Sequence, residues 1–242
     1  MAVDLSFDDI SWLSSFEPAS SVRLLLPSEP GGQLELPEWN GNEFLDARGA
    51  RPTIRTLTPW QLDAERGVLR VAVLRHGASP LSAWLDGSAP GDEVALSGPG
   101  RGLVPDPSIE DWVLIGDECA VPAIATLVDA IAPGCSVRVV VEAAAPTPST
   151  VLEGLLPRHP GVSFELVEAD VAAPGDSMVR RLGDVAITDS TLLWAAGEAA
   201  AMQRIRKMVD RPTAPRSLTV VRGYWKSNVA PGSAGVKPST AP

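Results

Sequence analysis

A chain of 242 residues, 45% of them apolar, is long enough for two modest domains with separate cores. Its net charge of −10 speaks against general binding to nucleic acid or to an anionic membrane, because phosphates are repelled except at a local basic patch. Two cysteines, Cys119 and Cys135, and two histidines, His76 and His159, make neither a disulfide framework nor a structural zinc site, and a reducing, cytoplasmic setting is expected.

The opening segment, Met1 to Trp12, carries Asp4, Asp8 and Asp9 and no basic residue, unlike a signal peptide. No run of 18 apolar residues exists, so no transmembrane helix is expected. Residues 1–21 show little periodicity. Val22 to Leu26 is the first clear strand, closed by Pro27. Residues 28–50, rich in Pro, Gly, Asn and acidic side chains, read as a long surface loop. Thr53 to Leu57 and Val68 to Arg75 are strand-like, and the second is apolar on nearly both faces, as a barrel strand is. Asp63 to Gly67 suits the hairpin turn between them. A short helix is predicted from Pro80, with Ser79 as N-cap. Pro90-Gly91-Asp92 is a turn, Glu93 to Leu96 a strand, and residues 101–107 a linker. Short strands with one small helix predict an antiparallel barrel domain over residues 1–108.

The period then changes. Strands are predicted at Trp112 to Ile115, Ser136 to Val141, Val162 to Val167, Leu192 to Ala196 and Leu218 to Val221. Helices are predicted at Val121 to Ile131, Val151 to Leu156, Ser177 to Leu182 and Glu198 to Val209. This alternation predicts a parallel sheet with helices on both faces over residues 109–226. Residues 227–242 read as a disordered tail.

The charge is unevenly spread. Arg48, Arg51, Arg55, Arg66, Arg70 and Arg75 fall within 28 residues, and only Arg23 and Arg101 join them in the first 108. A cluster of this kind in an acidic chain points to an anion site. Gly116-Asp117-Glu118 and Gly197-Glu198 each follow a strand and precede a helix, where a dinucleotide pyrophosphate sits in such folds. Carboxylates there oppose a phosphate, and helix capping by Asp117 or Glu118 is the favoured reading. Cys119, at the same helix start, is either a thiol of lowered pKa or a small buried residue. Arg204, Arg206 and Lys207 read as a solvated helix face, with contact to a 2′-phosphate as the alternative.

Taken in order, these landmarks resemble a known family. They are Arg51-Pro52-Thr53-Ile54-Arg55, His76-Gly77 followed by Ser82-Ala83-Trp84, Gly98-Pro99, Ile115-Gly116-Asp117-Glu118-Cys119, Ala196-Gly197-Glu198 and Gly223-Tyr224-Trp225-Lys226. The chain resembles the siderophore-interacting proteins from about Val22 to Lys226. These are FAD-dependent ferric-siderophore reductases with a flavin-binding barrel ahead of a nucleotide-binding α/β domain, as in ferredoxin reductases. The resemblance implies FAD as cofactor, NAD(P)H as electron donor and a ferric siderophore as partner, and leaves the oligomeric state open. It implies cofactor contacts from Arg51, Thr53, Arg55, His76, Ser82, Trp84, Gly116, Gly197, Glu198, Tyr224 and Trp225, with Lys226 attracting an anionic ferric chelate. Each has a plain alternative, such as edge-strand arginines, a capped turn, a core tryptophan or a snorkelling lysine.

Three departures cluster at one place. The family motif reads Arg-x-Tyr-Thr-x-Arg; here Pro52 holds the tyrosine position, Ala50 holds the first arginine position, and Arg51 is one place off. The loop after His76 lacks the family's Gly-Pro. Family members also begin with a strand before the one that aligns near Val3 to Phe7, so the barrel is expected to be incomplete. A stacking aromatic contributes roughly 1–3 kcal/mol to nucleobase binding, so losing one weakens a flavin site by analogy. Two functions therefore stand: an FAD-dependent ferric-siderophore reductase, or a non-catalytic siderophore-binding protein on the same fold with eroded flavin affinity.

Overall fold

The computed structural model describes residues 1–13, 16–29, 31–75, 79–144, 154, 160–170, 172–209 and 218–227. The N-terminal half contains strands β1 (Ala2–Ser6), β2 (Val22–Leu26), β3 (Glu38–Trp39), β4 (Phe44–Leu45), β5 (Thr53–Leu57), β6 (Pro59–Asp63) and β7 (Val68–Ala72), then helix α1 (Pro80–Gly87) and strand β8 (Ala95–Ser97). Two three-stranded antiparallel sheets, ordered β1-β7-β6 and β5-β2-β8, enclose one core. Leu13, Val22, Leu24, Leu69 and Val71 fill it at 0–1% exposure. Each such aliphatic side chain contributes about 1.5–3 kcal/mol on burial.

Two stretches differ from the sequence reading. Residues 28–50 are not all loop, because β3 and β4 pair as a small hairpin that sets Trp39 against Phe44, ring centres 5.1 Å apart and planes tilted by 57°. The β5–β7 connection is not a simple hairpin either, because β6 intervenes and pairs with β7. Trp60 to Asp63 does alternate apolar and polar, but the run is short and opens on Pro59, a residue that demotes a strand reading, which hides β6 in the sequence.

The C-terminal half begins with strand β9 (Asp111–Asp117) and a 3₁₀ turn (Glu118–Ala120). Helix α2 (Val121–Ala130), β10 (Ser136–Ala143), β11 (Val162–Glu168), helix α3 (Asp176–Gly183), β12 (Thr191–Glu198), helix α4 (Ala199–Val209) and β13 (Thr219–Trp225) follow. Of the predicted helix at 151–156 only Gly154 is among the described residues, where it lies in a turn, and the tail beyond Ser227 lies outside them. All five strands are parallel, in the order β11-β10-β9-β12-β13. Side chains alternate between two cores: Trp112, Leu114, Val139, Val141 and Trp194 pack on the α2 side, while Val113, Ile115, Val140, Leu193 and Ala195 pack with Met178, Leu182, Met202 and Ile205 of α3 and α4. This two-faced burial explains the continuous apolar runs. The chain steps outward from β9 to β11, then returns to the other side of β9 for β12 and β13. Right-handed crossovers running in opposite directions put α2 and α4 on opposite faces. The reversal opens a crevice between the carboxyl ends of β9 and β12.

The two halves are joined by polar contacts. The Arg222 guanidinium on β13 donates to the carbonyls of Ala19 (2.9 Å), Arg101 (3.0 Å) and Gly102 (2.9 Å). Ala19 adopts a left-handed conformation (φ 52°) and is 1% exposed. Such a backbone costs roughly 1–2 kcal/mol for an L-residue. It is held because the Ala19 amide donates to the Thr126 hydroxyl of α2 (2.9 Å) while its carbonyl accepts from Arg222.

Candidate functional site

The arginine cluster resolves into separate roles. Arg48 is beside Asp46 and donates to the Ser28 hydroxyl (2.8 Å). Arg51 Nε is 2.5 Å from Glu43 Oε2. Arg70 holds Asp4 through two nitrogens, at 2.6 and 2.8 Å. Arg75 pairs with Asp86. Four of the six arginines are thus neutralised by local carboxylates, so the broad anion patch expected from the sequence is not assembled. Arg66 sits on the exposed β6–β7 turn.

Arg55 is different. It pairs across β5 and β2 with Leu24, and Thr53 pairs with Leu26. Directly opposed residues in an antiparallel pair share a face. Leu24 and Leu26 are 1% and 3% exposed in the core, so Thr53 and Arg55 lie on the core-facing row of β5 while Ile54 and Thr56 face out. The Arg55 guanidinium is half-buried, and its one hydrogen bond among the described residues goes to the adjacent Ile54 carbonyl (2.7 Å). Burial lowers its pKa, and no acidic group offsets that effect. The Thr53 hydroxyl has no hydrogen-bond partner among the described residues. A desolvated cation lacking a counter-ion, next to an unused hydroxyl, is a cradle suited to an anion.

The predicted helix from Pro80 forms, and Ser79 caps it by accepting the Ser82 amide (3.1 Å). The Ser79 hydroxyl also donates to Ser82 Oγ (2.9 Å), and Ser82 is buried. Trp84 is 6% exposed in the N-terminal core, and its indole nitrogen has no partner among the described residues. His76 lies outside the described residues.

At the crevice of the parallel sheet, the two predicted glycines are steric requirements. A Cβ on Gly116 would lie 2.4 Å from Ala120 Cβ and 2.7 Å from the Ala196 carbonyl oxygen. One on Gly197 would lie 2.7 Å from Asp117 Oδ2. The adjacent carboxylates cap helices. Asp117 Oδ1 accepts the Cys119 amide (3.0 Å). Glu198 Oε2 accepts the Ala201 amide (2.9 Å), and Oε1 accepts the Ser227 amide (3.2 Å). Burial raises the Glu198 pKa, but amides of Ala201, Ser227 and Ala200 and the Ser227 hydroxyl outweigh it, and the net shift is downward. The sequence reading missed Glu142, which is 3% exposed and accepts the amides of Gly175 (2.6 Å) and Met178 (2.8 Å) at the start of α3. Its trace in the sequence is an isolated acid closing the apolar run Val139 to Val141. Cys119 is the small, largely enclosed residue of the two alternatives, because burial and the charges of Asp117 and Glu118 push its thiol pKa up.

Asp117 has a second partner. Its Oδ2 accepts the indole N–H of Trp225 (2.7 Å). Since β12 lies between β9 and β13, this bond straps Trp225 across the crevice mouth. Burial raises the Asp117 pKa to about 6, and the Glu142 charge adds to it. The bonds from Trp225, Cys119 and the Glu198 amide pull the other way. A carboxyl with a raised folded-state pKa holds more protons folded than unfolded, so its stabilising contribution is complete below the unfolded pKa and is lost as pH rises through about 6. Asp117→Asn is therefore expected to gain about 1–1.5 kcal/mol on the parent between roughly pH 5 and pH 7.5. Urea denaturation of both proteins checks this, and parallel pH profiles would contradict it.

Tyr224 and Trp225 are part of β13, not a segment after it. Tyr224 packs edge-on to Trp194 at 6.5 Å. Burial pushes its phenol pKa up, against the lowering effect of Thr58 beside it. Trp225 is 38% exposed, and Lys226 is exposed with no acidic partner among the described residues. On α4, Arg204 pairs with Asp176, and Arg206 donates to the Val221 carbonyl (2.5 Å). Of the predicted residues, Thr53 and Arg55 come together on β5, and Gly116, Gly197, Glu198 and Trp225 come together around the crevice, while Arg51, Ser82, Trp84 and Tyr224 join neither group.

The chain matches two family models in tandem. Residues 1–103 match the siderophore-interacting FAD-binding domain, and residues 109–228 match siderophore-interacting protein. An uncharacterised protein of Mycobacterium tuberculosis is 29% identical over 188 residues, which is 73% of this chain and 66% of the relative. Ferric vibriobactin reductase ViuB of Vibrio cholerae is 29% identical over 133 residues, which is 53% of this chain and 48% of the reductase. The chain thus matches just under two thirds of the first relative and about half of the second. The crystal structure of a siderophore utilization protein from T. fusca superimposes with a TM-score of 0.78 at 29% identity, covering 95% of this chain and 88% of that one. Ferredoxin reductases share the architecture at lower identity. No helix among the described residues is long and apolar enough to cross a membrane. With an antiparallel domain and a parallel-sheet domain each matched in order, the chain belongs to the siderophore-interacting protein family, on a ferredoxin-reductase-like fold.

Proposed function

We propose that this chain is a flavin-dependent ferric-siderophore reductase. The observation that carries the reading is Arg55, a half-buried guanidinium on a core-facing strand row with no acidic partner among the described residues. Arg55 would pair with a phosphate of FAD, and Thr53 would offer its hydroxyl beside it. Bound FAD supplies electron transfer in single steps, which is the chemistry that reduction of Fe(III) requires. Lys226, exposed and positive beside the half-exposed Trp225, would draw an anionic ferric chelate to the end of β13. The match to ferric vibriobactin reductase supports the same substrate class.

A second reading, a siderophore-binding protein with weakened flavin affinity, draws on one observation. Pro52 precedes β5 where the family has its stacking tyrosine. Tyr224, the only tyrosine, is already packed against Trp194.

A single-turnover experiment separates the two. The FAD-loaded chain, reduced photochemically without oxygen, is mixed with a ferric catecholate, and Fe(II) is trapped by a chromogenic chelator. Iron release faster than with the same amount of free reduced FAD is expected. Equal rates would leave the binding-protein reading.

A further inference from the structure

We infer that the crevice of the parallel sheet does not seat a nicotinamide dinucleotide, and that Asp117, Glu142 and Glu198 are the residues that refuse it. The electron donor expected from the fold, NAD(P)H, would place its pyrophosphate at the helix start beside the switch point. That position needs three things: free amides at a helix N-terminus, backbone room for the phosphates, and an absence of negative charge.

None of the three is met in full. The starts of α3 and α4 are already capped by carboxylates of this chain, and a third carboxylate, Asp117, caps the 3₁₀ turn that leads into α2. Asp117 accepts the Cys119 amide ahead of α2, Glu198 accepts the Ala201 amide of α4, and Glu142 accepts both the Gly175 and Met178 amides of α3. These carboxylates satisfy the amides and complement the dipoles that would otherwise attract an anion. Room is lacking too. Asp117 Oδ2 lies against the Gly197 turn, 2.7 Å from where a Cβ would stand, and it holds the Trp225 indole across β12. The glycines at 116 and 197 make space for protein atoms, not for a phosphate. Finally, of the three α4 cations that could serve a 2′-phosphate, Arg204 is engaged with Asp176 and Arg206 with the Val221 carbonyl, which leaves Lys207 alone at the exposed end of the helix.

Calorimetric titration of the full chain with NADPH and with NADH, with and without FAD present, tests the inference directly and does not depend on whether FAD binds. It is run near pH 8, where Asp117 is ionised. No saturable binding is expected from the parent. A Kd below about 100 µM, inside the usual range for enzyme substrates, would overturn the inference. The Asp117→Asn/Glu198→Gln double variant is expected to bind NADPH at least roughly tenfold more tightly than the parent, the equivalent of one pKa unit of charge interaction. Glu198→Gln alone serves if the double variant does not fold. A folded variant, verified by circular dichroism, with no gain would show that these carboxylates are not what excludes the dinucleotide.

Discussion

Arg55→Ala is expected to raise the FAD dissociation constant roughly ten- to hundredfold, because a hydrogen bond to a charged group contributes about 1.5–3 kcal/mol. The same change should leave the FAD-free protein as stable as the parent or slightly more stable. In the folded chain the guanidinium is half-buried, gains one bond to its neighbour's carbonyl, and has no carboxylate among the described residues to offset its desolvation. Removing it costs the fold little. This combination of lost binding and retained stability distinguishes a ligand residue from a structural one. Arg51→Ala is the matched control. Its Nε is held by Glu43 at the surface, with 58% of the side chain exposed, so little effect on FAD is expected. Flavin fluorescence titration reads both. An unchanged affinity in Arg55→Ala would remove Arg55 from the site and with it the observation on which the functional reading rests.

Gly116→Ala is expected to lower stability by about 3 kcal/mol or more, toward the severe end for a single substitution. The added Cβ meets Ala120 Cβ on one side and the Ala196 carbonyl oxygen on the other, at 2.4 and 2.7 Å. The second contact is backbone of the neighbouring strand, which cannot rotate away. Gly116 is also at the centre of the sheet, where β9 pairs with both β10 and β12. Relief would need displacement of a strand or of the helix start that carries Asp117. Gly183→Ala, whose Cβ would meet nothing closer than the end of Met208 at 3.9 Å, should be near neutral. Urea midpoints for the two variants check the contrast. A Gly116→Ala midpoint near that of the parent would mean the strand spacing yields more easily than close packing allows.

The alternation of strand and helix after residue 109 was legible because parallel strands are buried on both faces, and runs such as Trp112 to Ile115 show it without any structure. The start of α1 was legible for a different reason, since Ser79-Pro80 carries its capping chemistry locally. Strand β6 was not, because its short alternation opens on Pro59. Strand β13 was read too short, because Gly223 looks like an ending when it lies within a strand. The crevice was half legible. Asp117 could be recognised as a cap from its place between strand and helix, but its bond to Trp225 joins residues 108 positions apart and depends on sheet order. The arginine cluster shows the opposite error. Six nearby arginines suggest a single patch, yet the sequence does not show which of them find Asp4, Glu43, Asp46 or Asp86. Only the pairing of β5 with β2 sets Arg55 apart, by turning it toward the core beside Leu24.

The most direct test of flavin-dependent function is titration of the purified chain with FAD, followed by gel filtration. The reductase reading predicts saturable binding of one FAD per chain and yellow protein that keeps the flavin through the column. Colourless protein with no saturable change in flavin fluorescence would contradict it, and Pro52 would then mark a family member that has lost its cofactor.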